Sequence, residues 1–201
     1  EENVGPVPVE VRFQSGRAVS ARFTTAMLPE HHPLPHTCGE LAALVGLSED
    51  DVCGDLQPEV VSCGLPYTII PVRTVSAVRR AILDIVAWKR MLATTPHHHV
   101  YLVCMDAEGE GVHVRVRMFA PGSGVPEDPA TGSAAASLGG YLAKADGRTN
   151  GTLAWTVEQG LEIGRPSILH VEADRANGET TAVRVGGSAV FVSSGTMTVP
   201  S

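Results

Sequence analysis

No apolar run in this sequence approaches the roughly 20 residues that a membrane-spanning helix requires, so none is expected here. Basic residues are scarce: 15 Lys and Arg stand against 22 Asp and Glu, for a formal charge of −7. Phosphate backbones are gripped by clustered cations, so a nucleic-acid partner is disfavoured and a small molecule fits better. No C-x-x-C pair occurs among Cys38, Cys53, Cys63 and Cys104. That removes the usual zinc spacing and any sign of a disulfide framework, leaving buried thiols in a reducing, cytoplasmic setting as the expectation. No basic stretch followed by an apolar one marks a secretory signal in these residues. Internal repeats and low-complexity tracts are missing as well.

What is present is an ordinary globular composition, with 43% hydrophobic residues and a mean hydropathy of +0.08 over 201 residues. A soluble protein with a sizeable core is expected, as one large domain or two small ones. Val7, Val9, Val11 and Phe13 alternate, the turn Ser15-Gly16 follows, and Val19, Ala21 and Phe23 resume the pattern, which predicts a hairpin. Residues 29 to 36, rich in Pro and His, predict a crossing between two lobes. Thr37 and Glu40 form a capping box ahead of Leu41, Leu44 and Val45, which predicts a short helix. Short strands follow at 60–64 and 67–72.

Val75, Val78, Ile82, Ile85, Val86 and Leu92 share one face at helical spacing and predict the longest helix of the chain. His99 to Met105 is nearly continuous apolar and predicts an inner strand. Val112, Val114, Val116 and Met118 alternate with His113, Arg115 and Arg117, which predicts a half-exposed one. Further strands are expected at 153–158, 168–172, 181–185 and 189–192, with turns at Asn177-Gly178 and Gly186-Gly187. Strands outnumber helices and are mostly linked as hairpins, so the fold class is α+β.

Asp128-Pro129 reads as a helix opening, since Asp caps free amides and Pro at the first position loses no hydrogen bond. Gly132 and Ser133 then fall in the first turn, where unpaired N–H groups and small side chains admit a carboxylate or phosphate. Spacing alone serves two readings: an anion site, or a plain cap at Asp128 with Gly132 as a packing residue. The tract His97-His98-His99 alternates sides on an extended segment, so a strand junction explains it better than a metal site. Gln159 and Arg165 flank a turn, where Arg165 either pairs with an acidic substrate or ties the turn to its surroundings, the second being favoured. Asp84, Arg79 and Arg80 read as exposed surface.

Met118 to Gly122, followed by Val125-Pro126-Glu127-Asp128-Pro129-Ala130-Thr131-Gly132-Ser133-Ala134, resembles the first signature of the phenazine-biosynthesis PhzF-like family. Glu158-Gln159-Gly160 with Gly164-Arg165-Pro166-Ser167 is similar to its second. Val61 to Tyr67 and Asn3 to Val9 also resemble family segments, so the likeness covers essentially the whole chain. It implies a diaminopimelate-epimerase-like fold, in which each of two lobes curves a mostly antiparallel sheet around a central helix. The active site lies between the lobes. Residues 1–28 would be strands of an incomplete N-terminal lobe, 29–186 the C-terminal lobe, and 187–201 a strand segment returning to the first.

The resemblance also implies an isomerase or epimerase that moves a proton within a small carboxylate-bearing substrate. No metal and no organic cofactor is expected. Asp128 corresponds to the site aspartate, with Gly132 and Ser133 holding substrate through their amides. The thiol pair of the amino-acid epimerases is unmatched, because Ser133 and its neighbours occupy the region where a cysteine would sit. The family's general acid/base glutamate and its Gly-His-Pro segment precede the strand that here starts near Asn3. Glu30-His31-His32-Pro33 lacks the glycine and is not assigned that role. The chain is therefore expected to be inactive alone, and to associate as a homodimer or through an exposed interlobe surface. The alternative is a non-catalytic module for small-anion binding or assembly.

Overall fold

The computed structural model describes residues 5–198. The first two strands, β1 (Val9–Gln14) and β2 (Arg17–Thr24), form the expected hairpin, with Ser15 and Gly16 both at positive φ in the turn. That backbone matches the twist of the paired strands. The segment expected as a bare crossing contains β3 (Glu30–Pro33), which pairs antiparallel with β4 (Glu59–Ser62). Prolines at 29, 33 and 35 hid it, because Pro is tolerated only at strand edges and β3 is an edge strand.

Helix α1 (Cys38–Leu44) starts at the capping box, where Thr37 and Glu40 satisfy each other's free amides. Its first residue, Cys38, is bonded to Cys53 across 15 residues. This corrects the reading of four free thiols: the 3₁₀ turn Glu49–Asp51 brings the chain back onto α1. Cys63 and Cys104 remain free, and burial pushes the Cys63 thiol up to about 12.

After β5 (Pro66–Pro71) the expected single long helix is two short ones, α2 (Val75–Arg80) and α3 (Ile85–Met91). Arg117 breaks it. Its Nη1 donates to the carbonyls of Val78 and Ala81 at 2.9 and 2.7 Å, closing α2, while Asp84 accepts from the amides of Val86 and Ala87 and opens α3. Ile82 and Val86, assigned by periodicity to a buried face, are 73% and 76% exposed.

The strands β6 (His99–Cys104) and β7 (Val114–Ala120) are buried along their whole length. Here the expectation of a half-exposed β7 fails for a specific reason. Arg115 pairs with Glu158 and Glu162, and Arg117 pairs with Glu127, so the charged face is covered rather than solvated. Then come β8 (Val125–Asp128), the central helix α4 (Gly132–Asp146), β9 (Gly151–Gln159), β10 (Ser167–Ala176) and β11 (Glu179–Gly187). Asn177 and Gly178 turn between β10 and β11 at positive φ as expected, but Gly186 and Gly187 lie inside β11. The strand expected at 189–192 is not formed, and Val190, Phe191 and Val192 are exposed.

All eleven strands join one sheet in the order β1-β2-β11-β10-β9-β7-β6-β5-β4-β3, with β8 on β7. Among the described residues only β5–β6 and β7–β9 pair in parallel. The sheet curves around α4, whose residues from Ala134 to Ala143 are all buried against β4, β5, β9, β10 and β11. Each leucine so buried contributes about 1.5–3 kcal/mol. Glycines permit the close fit: a Cβ at Gly140 would lie 2.4 Å from Pro29, and one at Gly139 would lie 2.8 Å from Val171. The opposite face of β5, β6 and β7 packs α1, α2 and α3 around Ile70, Leu102 and Phe119. No helix among the described residues is long and apolar enough to cross a membrane.

Candidate functional site

The start of α4 lies three residues later than the sequence suggested. Asp128 ends β8, paired with Met118 of β7, and Thr131 is the residue that precedes the first helical turn. Long-range strand pairing overrides the local helix-opening signal of Asp128-Pro129. Thr131 makes no side-chain cap. Its hydroxyl turns instead to Asp128, donating to Oδ2 at 2.5 Å. The N–H groups at the head of a 15-residue helix are therefore left without a side-chain partner, with the helix dipole behind them.

Gln159, fully buried at the end of β9, fixes this arrangement. Its Nε2 donates to the Asp128 carbonyl at 2.7 Å and to Thr131 Oγ1 at 2.9 Å. Its Oε1 accepts from the Thr131 amide at 3.4 Å and from the Tyr101 hydroxyl at 3.5 Å. Both donors and both lone pairs of the amide are thus engaged. A directed chain runs from Gln159 through Thr131 to one oxygen of Asp128, whose other oxygen makes no hydrogen bond among the described residues.

Gly160 explains how the two signatures meet. Its φ is +85°, and a Cβ there would lie 2.3 Å from the Arg165 carbonyl oxygen and 2.7 Å from that of Pro129. Only glycine fits between those two backbones. The 160–165 turn closes with the Arg165 amide donating to the Gly160 carbonyl at 2.8 Å.

Ser133 is exposed and shares a 2.7 Å hydrogen bond with the buried Tyr67 hydroxyl. Burial raises both the Tyr67 and Tyr101 phenols, and the nearby Asp128 charge adds to each shift, so both stay protonated at neutral pH. The Tyr67 ring lies 5.6 Å from that of His99, which is 7% exposed and has an unpartnered Nδ1. The structure thus brings Asp128, Gly132 and Ser133 to one place. It adds Thr131, Tyr67, Tyr101 and His99, to which the sequence assigns no role at this site. Thr131, inside the first signature, and Tyr67, at the end of the Val61 to Tyr67 family segment, carry a local signal. No group of three or more His, Cys, Asp or Glu residues able to hold a metal occurs among the described residues.

Burial first, and histidine neighbours second, hold the His97 and His99 imidazoles below the ordinary value of 6.5. The unfolded chain therefore takes up these protons before the folded one does. The stability they contribute is complete above pH 6.5 and is lost as the pH falls toward the folded values. Chemical unfolding should show that decline, with a shallower slope in His99→Phe.

The other acidic residues of the two signatures are already committed. Glu127 is bound bidentately by Arg117, and Arg115 donates to one oxygen of Glu158 and one of Glu162, which lies between the two parts of the second signature. A cavity of about 610 Å³ beside the α4 start is lined by Ala130, Gly132, Arg165 and His170 together with Phe23 and Leu169.

The description "Phenazine biosynthesis-like protein" matches residues 1–195. An uncharacterized isomerase of Mesorhizobium japonicum is 36% identical over 200 residues, covering 97% of this chain and 66% of that protein. The trans-2,3-dihydro-3-hydroxyanthranilate isomerase of Pseudomonas aeruginosa is 32% identical over 197 residues, covering 97% and 65%. Among solved structures, a PhzF-family phenazine biosynthesis protein of Bacillus anthracis superposes with a TM-score of 0.83 at 23% identity, covering 95% of this chain and 64% of the other. A predicted epimerase of Pseudomonas aeruginosa gives 0.68 at 30% identity, covering 94% and 64%. The chain thus spans about two thirds of the length of these relatives. With its fold matched by these structures and the match running from residue 1 to 195, the chain belongs to the phenazine biosynthesis-like, or PhzF, protein family.

Proposed function

We propose that this chain carries the substrate-holding part of a PhzF-type isomerase that moves a proton within a small carboxylate-bearing substrate. The observation that carries the reading is the diversion of the Thr131 hydroxyl to Asp128, which leaves the Gly132 and Ser133 end of α4 open to an anion. Asp128, with one oxygen held and the other unengaged, orients the substrate by hydrogen bonding. The family's isomerases, among them the hydroxyanthranilate isomerase above, give the reaction class. The reading calls on no metal and no organic cofactor.

The signature glutamates Glu127 and Glu158 are bound to arginines, so the proposal gives the proton-moving role to neither and takes that carboxyl from the part of the relatives that this chain does not span. General acid/base catalysis contributes about 10²- to 10⁴-fold, so the chain alone should turn over far more slowly than a full-length relative. In this reading 29–186 form one lobe, and 1–28 and 187–201 belong to a second. Exposed Val9, Val11 and Phe13 on β1, with Val190 to Val192, are the surfaces it would cover. The same surfaces support association of the isolated chain, as a homodimer or with the rest of the enzyme. The Cys38–Cys53 bond withdraws the cysteine argument for a reducing compartment, so a cytoplasmic location forms no part of the proposal.

Acetate titration tests the site. Binding should be lost in Gly132→Val, whose added side chain starts 3.3 Å from the Phe23 ring, and weakened in Asp128→Ala. Unchanged affinity in both variants would refute the placement.

A further inference from the structure

We propose that Arg165 is a specificity-determining residue that holds a second anionic group of the ligand, so that the preferred substrates carry two acidic groups rather than one. The inference rests on the reading of the α4 start as a carboxylate receiver and adds the other end of the ligand.

The sequence offered Arg165 two roles, and the tie to the turn is made by its main chain alone. The amide donates to Gly160 and the carbonyl accepts from the Ser167 hydroxyl at 3.2 Å. The guanidinium makes no hydrogen bond or ion pair among the described residues. Arg12, Arg17, Arg73 and Arg90 likewise make no ion pair among the described residues, so what distinguishes Arg165 is the hollow that it lines. Arg22, Arg115, Arg117, Arg148 and Arg184 each hold at least one carboxylate. Arg73 is also unpaired and also lines a cavity, but Asp55 and Asp106 share that lining.

The cavity beside α4 has the opposite character. Arg165 and His170 line it together with the first-turn Gly132, and among the described residues no Asp or Glu contributes to its wall. A chain with a net charge of −7 thus has a small-molecule-sized hollow lined by the cationic Arg165. Gly132 and Arg165 line the same hollow together with the apolar side chains of Phe23, Leu169 and Val185. That lining suits a ligand with an acidic group at each end and an apolar middle. A planar guanidinium grips a carboxylate through two parallel hydrogen bonds, which a lysine does not reproduce.

Calorimetric titration of the chain with acetate and with glutarate, at one ionic strength, tests this. Glutarate should bind the wild type about tenfold or more tightly than acetate, the scale of one charge-assisted pair. Arg165→Ala should bring glutarate to the affinity of acetate while leaving acetate binding and the unfolding midpoint unchanged, and Arg165→Lys should restore part of the preference. If acetate binds but glutarate gains nothing, or if Arg165→Ala keeps the preference, the role of Arg165 is refuted and the α4 site stands. If neither anion binds the wild type, both readings fall.

Discussion

Gly160→Ala should destabilise the protein by about 3–4 kcal/mol, summing roughly 1–2 for a left-handed backbone and about 2 for overpacking. The added methyl would meet the carbonyls of Arg165 and Pro129, both main-chain groups that cannot rotate away. Gly164 is the control: its φ is +69° and nothing lies within 4 Å of its Cβ position, so Gly164→Ala should cost only the backbone part, roughly 1–2 kcal/mol. Urea unfolding of the two variants decides the matter. Equal losses would show that the 129–131 segment does not press on Gly160. Because the same contact fixes the residues around Asp128, Gly160→Ala should also weaken carboxylate binding.

Glu127→Ala is expected to cost about 3–5 kcal/mol, because it leaves the Arg117 guanidinium buried without its counter-charge. The two side chains are each 9% exposed and joined by bonds of 2.9 and 2.7 Å. Arg117 also holds the last carbonyls of α2, so its displacement should loosen the α2–α3 junction, which faster amide exchange at residues 78–84 would report. The double variant Glu127→Leu with Arg117→Met removes both charges and should recover much of the loss, short of the contribution of the α2 carbonyl bonds. A single-variant loss below about 1 kcal/mol, the level of an exposed pair, would contradict the burial described here.

These two sites show where the sequence could and could not be read. The capping box at Thr37 and Glu40 was legible because all its partners lie within four residues. So was the β1–β2 hairpin, set by its alternation and the Ser15-Gly16 turn. The break between α2 and α3 was not, since the residue that imposes it, Arg117, is 36 or more positions away on β7. Helical periodicity across Val75 to Leu92 says nothing of a distant guanidinium taking two carbonyls. The late start of α4 has the same kind of cause, namely the pairing of Asp128 with Met118.

Within the site, Asp128, Gly132 and Ser133 were visible through the first signature. Gln159 was noticed only as a polar residue near a turn. Its role depends on a fold that brings the end of β9 against Thr131, 28 positions earlier. Tyr67, though part of a family-like segment, and Tyr101 both sit in expected strands, and only the assembled sheet aims their hydroxyls at Ser133 and Gln159.

The most direct test of the central claim is an amide-resolved NMR titration of the chain with acetate. The N–H resonances of Gly132 and Ser133 should move most, saturating together, with smaller shifts at Asp128 and Thr131. In Gly132→Val the response at Ser133 should vanish. Shifts concentrated elsewhere, or a Ser133 response that persists in the variant, would show that the head of α4 is not where the carboxylate is received.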